Sequence, residues 1–164
     1  MKEEDLLKAL GVRHTYLDLF VAGVPVPQGS KTAGRTSSGG FYMREANKNL
    51  KPWRNKVQSN CSVVWGEREP MSEALQLNVV FYMPRPKAHY MRGDVTGSIK
   101  ENAPLFHSVR PDRDKLLRAI QDALEKAGVV KDDSRFASGT TTKRYIDAES
   151  PCPGVWIVLR NLKD

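Results

Sequence analysis

The chain has 164 residues, a formal net charge of +7 and a pI near 9.5, with 40% hydrophobic and 27% charged residues. That length supports one domain with its own core, and the composition excludes a disordered chain. No apolar run approaches the roughly 20 residues of a membrane span, and the acidic opening "MKEEDLLKALGV" lacks the apolar core of a secretory leader, so a cytoplasmic protein is expected.

Residues 1–13 read as a short helical extension ahead of a single domain over 14–164. "HTYLDLFVAGV" (14–24) alternates apolar and polar residues among β-formers and predicts a strand. "PVPQGSKTAGRTSSGG" (25–40) is a loop by composition, and "FYMREANK" holds a short strand. From Leu50 to Trp65 the apolar positions Trp53, Val57, Cys61, Val64 and Trp65 recur at steps of three and four, which predicts a helix with Pro52 in its first turn. "ALQLNVVFYM" (74–83) is a second clear strand. Residues 84–111 carry four prolines and two glycines without a sustained period, a long loop of the kind that usually serves function. Lys115 to Ala127 presents Leu116, Leu117, Ile120, Ala123, Leu124 and Ala127 as one helical stripe, closed by Gly128. "SRFASGTTTKRYI" (134–146) and "GVWIVLRNL" (154–162) predict two strands in a terminal hairpin. The order predicts an α+β domain with one mixed β-sheet and two principal helices. Cys61 and Cys152 stand apart with no metal-ligand spacing and are expected to be reduced, while His14 and His107 are expected to be structural.

A basic balance in such a protein points to a polyanionic partner, nucleic acid first, with a solvated basic surface as the plainer alternative. The charge is also concentrated: between Gly23 and Val57 stand Lys31, Arg35, Arg44, Lys48, Lys51, Arg54 and Lys56 against Glu45 alone. Within that patch "QGSK" (28–31) offers Lys31 as a phosphate contact, with Gln28 and Ser30 as loop structure. "PRPKAHYMR" (84–92) interleaves Arg85, Lys87 and Arg92 with His89 and Tyr90, a mixture suited to backbone contact and base stacking. Candidate DNA contacts are therefore Lys31, Arg35, Arg44, Lys51, Arg54, Arg85, Lys87, Tyr90, Arg92 and Arg110.

Against this basic background stands "RPDRDKLLRAIQDALEKAGVVKDD" (110–133), which places Asp112 and Asp114 ahead of the helix and Asp132 and Asp133 after it. Thirteen helical residues carry the chain about 20 Å away, and six extended residues return about as far. The spacing thus brings Asp132 and Asp133 back toward Asp112 and Asp114 as one candidate carboxylate cluster. Close carboxylates repel unless a hard divalent cation such as Mg²⁺ binds them. Such a cation beside a cationic surface suits phosphodiester hydrolysis. Each aspartate by itself also has an ordinary structural reading, as a helix N-cap or a turn residue. Asp122 lies about 12 Å along the helix from Asp114 and is not expected to be a ligand. Asp132 is the doubtful member, because neighbouring strand residues face opposite sides.

This stretch resembles the core motif of the RusA family of Holliday junction resolvases, especially its phage and prophage branch: Asp-x-Asp opening a helix, "DAL" inside it at 122–124, then Asp-Asp. "VAGVPVPQGSKTA", "PWRNKV" and "VVFYMPRPKAHY" also look like family segments in matching order, so the resemblance covers roughly residues 17–160. The resemblance implies a homodimeric α+β endonuclease of branched DNA that needs Mg²⁺, with Mn²⁺ a candidate substitute. By position it assigns Asp112, Asp114 and Asp133 to catalysis and metal binding. The family's lysine one helical turn past the second aspartate falls on Arg118, and an asparagine of some members falls on Lys115. Both cations are candidate catalytic residues, although a guanidinium forks where an ammonium acts as a point. No membrane and no small-molecule cofactor are implied, and a bacterial or phage-infected cell is the implied setting. Two other readings remain open from the residues: a branched-DNA-binding module without catalysis, and a metal-dependent nuclease for flaps or another substrate.

Overall fold

Alternation of apolar and polar residues lays down the sheet. The computed structural model describes residues 15–29, 31–45, 47–94 and 97–162, with the side chains of Lys31, Thr32, Arg44 and Glu45 outside that description. The expected N-terminal extension, and His14, fall outside the described residues. Strand β1 (Thr15–Ala22) buries Leu17 and Val21, and β4 (Leu75–Met83) buries Leu75, Leu77, Val79 and Phe81 at every second position. Strand β7 (Gly154–Asn161) contributes Val155, Ile157 and Leu159 in the same rhythm. β7 lies between β1 and β4 and is antiparallel to both.

Two helices cover this apolar face. Helix α1 (Leu50–Trp65) buries Leu50, Trp53, Val57, Cys61 and Trp65, one stripe of the helix surface. Helix α2 (Arg113–Lys126) buries Leu116, Ala119, Ile120, Ala123 and Leu124. The helices pack on each other, and their stripes join the strand residues in one continuous core. Burying such side chains stabilises the fold by about 1.5–3 kcal/mol each for the large aliphatics. Cys61 is free and buried, its thiol pushed up to about 12 by burial, and Cys152 is free and exposed. The α+β class, the mixed sheet and the two helices agree with the sequence reading.

Two expectations are corrected. Residues 134–146 do not form one strand and do not pair with β7. They split into β5 (Phe136–Ser138) and β6 (Thr141–Tyr145), both parallel to β4. Strand β4 therefore separates β6 from β7, and no terminal hairpin forms. The break has a steric cause at Gly139, whose φ is +149° and where any side chain would run into the Leu77 carbonyl. The second correction concerns the loop over 25–40: Lys31–Arg35 form β2, paired antiparallel with β3 (Phe41–Glu45). Pairing supplies hydrogen-bond partners that composition does not announce.

The long 84–111 segment is held by the edge of β6. Tyr145 donates its backbone N–H to Leu105 (2.9 Å), and His107 donates to the Lys143 carbonyl (3.1 Å). These bonds cover what would otherwise be an open sheet edge. Arg85, only 8% exposed, donates through Nε to the Ile146 carbonyl (2.8 Å) and through Nη1 to the Pro104 carbonyl (2.9 Å). Its guanidinium also lies 5.1 Å from the Tyr145 ring centre, which His89 and His107 flank at 5.0 and 4.8 Å. His107 is buried and structural, as expected.

Candidate active site

The core stripe of α2 dictates which of its residues face water. With Leu116, Ala119 and Ile120 turned inward, Asp112, Asp114, Lys115 and Arg118 are all exposed around its first turns. Asp112 occupies the N-cap position with extended backbone, yet its carboxylate makes no capping bond. It pairs instead with Lys115 Nζ at 3.0 Å. That hydrogen bond and charge hold the Asp112 carboxyl below the usual carboxylate range, with Arg110 and Lys143 adding to the effect. Asp114 lies in the first turn, where the helix dipole favours an anion. Among the described residues its carboxylate has no hydrogen-bond or ion-pair partner, and neither has the guanidinium of Arg118 four residues on.

After α2 the chain returns by a turn, not by the extended strand that the spacing suggested. Val130 bridges Met71 in parallel, and Asp133 opens a one-turn 3-10 helix over 133–135 that packs against α2. Asp132 caps that turn: its carboxylate accepts from the Ser134 backbone N–H (3.2 Å), from the Ser134 hydroxyl and from Arg135 Nε (3.3 Å). The Ser134 hydroxyl, with Arg135, holds its carboxyl below the ordinary range. Asp133 is exposed and, among the described residues, its carboxylate has no partner. The neighbouring aspartates thus differ because one is spent on the turn and the other is not. What lies next to the helix start is β6: Arg113 Nη1 donates to the Thr141 carbonyl (3.4 Å).

Two further elements frame the first turn of α2. The Gln28 backbone N–H donates to the Lys115 carbonyl at 3.0 Å, which lays the 25–29 loop on the helix. Among the described residues, the buried Gln28 Oε1 has no hydrogen-bond partner there. On the other side Lys143 Nζ donates to the carbonyls of Val109 (2.7 Å) and Pro111 (2.6 Å). Burial pushes the Lys143 ammonium down, and the charge of Asp112 opposes that shift. Lys143 escapes a reading of the sequence because these contacts cross 34 and 32 residues of chain.

The DNA-contact candidates divide. Arg54 pairs with Asp122 at 3.3 Å and its side chain is only 13% exposed, so the pair joins α1 to α2. Arg85 is buried by the carbonyls it serves. Both guanidiniums are thus engaged within the fold, Arg54 through Nη1 and Arg85 through Nε and Nη1. Tyr90 is half-buried and bridges Ile99. Lys51, Lys87, Arg92 and Arg110 are exposed, as is Arg35, whose guanidinium sits 5.0 Å from the Phe41 ring centre. The side chains of Lys31 and Arg44 lie outside the described residues.

A metal needs carboxylate oxygens free to ligate, and Asp114 and Asp133 have them. Asp112 is bound only by an exposed ion pair, which solvent screens. These hard oxygen donors suit a hard divalent cation. Among the described residues, however, no three His, Cys, Asp or Glu side chains stand together closely enough to hold one. No described helix is long and apolar enough to cross a membrane. In comparison with known proteins, the family model for the endodeoxyribonuclease RusA matches residues 22–159. A search of curated proteins finds no match.

Proposed function

The chain belongs to the RusA endodeoxyribonuclease family, whose activity is on Holliday junctions, and from that premise we propose that it resolves four-way DNA junctions by paired, symmetric nicks. Asp112, Asp114 and Asp133 would hold a divalent metal, Mg²⁺ with Mn²⁺ as a substitute. When bound, such an ion activates water and offsets the charge that develops on the phosphodiester. The observation that carries the reading is selective commitment. Asp122, Asp132 and Asp147 are each bound to an arginine, whereas the carboxylates of Asp114 and Asp133 are exposed and, among the described residues, without a partner. Unpaired carboxylates in a chain of net charge +7 contribute little to folding and are available to a cation.

The chain's own residues do the rest. Arg118, one helical turn beyond Asp114, neutralises non-bridging phosphate oxygens, and Lys115, paired with Asp112, is the second cation beside it. Arg35, Lys51, Lys87, Arg92 and Arg110 hold the phosphate backbone, with Lys31 and Arg44 as further contacts by their place in the basic stretch. Tyr90 stacks on an unpaired base at the branch point. Two opposed nicks on a roughly two-fold junction call for two sites, which a C₂ homodimer supplies. The setting is the cytoplasm of a bacterial or phage-infected cell.

The test uses a labelled four-way junction and a linear duplex of the same sequence, with wild type and Asp114→Asn, in Mg²⁺ or EDTA. Paired nicks confined to the junction, dependent on Mg²⁺ and absent from the variant, are expected. Tight junction binding without cleavage in any divalent metal would replace this reading with a binding module, and cleavage of flaps in preference to junctions would replace the substrate.

A further inference from the structure

Strands β2 and β3 form a two-stranded sheet of their own, apart from the main one. Their tip is a closed turn. The Thr36 backbone N–H donates to the Gly40 carbonyl (2.7 Å), and the Gly40 N–H donates to the Thr36 hydroxyl (2.9 Å). Next to that turn stand three consecutive apolar residues, Phe41, Tyr42 and Met43, none of which joins the core. Tyr42 serves the ribbon itself. It pairs with Gly34, and its ring lies so close that a Cβ at Gly34 would come within 2.5 Å of it. Phe41 and Met43, two residues apart in the strand, share the other face and are 76% and 68% exposed. Arg35 pairs with Phe41 across the ribbon, is exposed, and holds its guanidinium 5.0 Å from the ring centre.

Single apolar residues on a surface are ordinary, but here a phenylalanine and a methionine stand side by side on a ribbon with no core beneath them. Charge indicates what covers them. From Val24 to Arg44 the chain carries Lys31, Arg35 and Arg44 and no acidic residue, a balance that suits a polyanion. Apolar and aromatic side chains set among cations can stack on a base, or wedge beside it, while the phosphates are held. Such stacking costs least where a base is already unpaired. The ribbon also begins three residues after Gln28, whose backbone N–H donates to the Lys115 carbonyl, so it is rooted beside the first turn of α2.

We infer that the β2–β3 ribbon is the arm that reads the branch of the DNA: Phe41, with Met43 beside it, stacks on a base left unpaired there, and Arg35 holds the adjoining phosphate. The inference rests on the reading of the chain as a junction endonuclease. It adds the element that tells a junction from plain duplex. Phe41 is also a more open aromatic than the half-buried Tyr90.

Wild type, Phe41→Thr and Phe41→Trp would be compared in EDTA by fluorescence anisotropy. The DNAs are a labelled four-way junction, a linear duplex of the same sequence and a single strand of pyrimidines. Threonine favours strands, so the ribbon is expected to persist, and tryptophan restores a ring. Losing one stacked base weakens binding by about 5- to 150-fold. Phe41→Thr is expected to lose about that factor on the junction and on the single strand, while binding the duplex and unfolding as wild type does. Phe41→Trp is expected to recover the loss. Unchanged junction and single-strand affinity in Phe41→Thr overturns the inference, and so does an equal loss on junction and duplex. A smaller sedimenting species in Phe41→Thr with junction selectivity intact also overturns it, and makes the ribbon a contact with a second copy of the chain. Should Phe41→Thr disturb unfolding, Phe41→Leu, which keeps apolar bulk without a ring, takes its place under the same criteria. If wild type itself binds junction and duplex alike, the proposed function fails, while the single strand still decides whether Phe41 stacks on bases.

Discussion

Two polar regions hang from β6, two residues apart, and they are built on opposite terms. Around Tyr145 the polar groups are inside. Arg85 is buried with its Nε and Nη1 on backbone carbonyls, and two histidines flank the ring. Around α2 and the turn that follows it the charges are outside, and the carboxylates of Asp114 and Asp133 have no partner among the described residues. A buried cation must be satisfied or the fold loses stability. An exposed carboxylate has no such requirement, so it can remain uncommitted until a ligand arrives. The first region serves folding and the second is the one proposed for chemistry, and substitutions should separate the two.

The largest separation is expected within one pair of neighbours. Asp133→Asn should lower junction cleavage by about 100-fold or more, the scale for losing a charge-stabilising group in an active site, with unfolding unchanged. Asp132→Asn should lower cleavage far less, because its carboxylate serves Ser134 and Arg135. Parallel cleavage assays and thermal unfolding of the two variants check this, and equal losses of activity would erase the distinction between committed and free carboxylates.

A smaller effect of the opposite kind is expected at Arg85. Arg85→Ala removes two hydrogen bonds from a charged group to the carbonyls of Ile146 and Pro104. It should destabilise the fold by about 2–3 kcal/mol in denaturant titrations. Cleavage per folded molecule should be kept, and a specific loss of junction affinity at full stability would return Arg85 to the DNA surface.

The smallest effect is a pH dependence at His107. Burial, and then the charge of Lys143, lower its pKa from the usual 6.5, so the folded state disfavours the imidazolium. The unfolded chain then takes up the proton first as pH falls. Stability is intact above the unfolded value of about 6.5 and declines as pH falls from there through the lower folded value. Urea unfolding at pH 7.5 and pH 5.5 should show the decline in wild type and a flatter profile in His107→Gln. An identical decline in both would place the sensitivity at another group.

Legibility from sequence followed burial. Helix α1 was readable because Trp53, Val57, Cys61 and Trp65 recur at the helical period, and β4 because Leu75, Leu77, Val79 and Phe81 alternate. The Asp-x-Asp and Asp-Asp pairs stood out as candidates for chemistry because carboxylates are conspicuous in a basic chain. Pairing was not readable. Nothing in "SRFASGTTTKRYI" announces that Gly139 passes against Leu77, or that β6 runs parallel to β4 instead of returning to β7. Arg54 and Arg85 looked like DNA contacts because an arginine in a basic stretch has the same sequence signature whether its head group is free or bound.

By itself, then, the sequence determined the elements, the inventory of carboxylates and cations, and the family resemblance. Period and composition are local properties, written within a few residues of each other. Tertiary structure decided which charges stayed available. Asp122 met Arg54, Asp132 met its own turn, and Lys143 met the carbonyls before Asp112. Most of those meetings join residues far apart in the chain, and a side chain's commitment depends on what the folded backbone brings within hydrogen-bond reach.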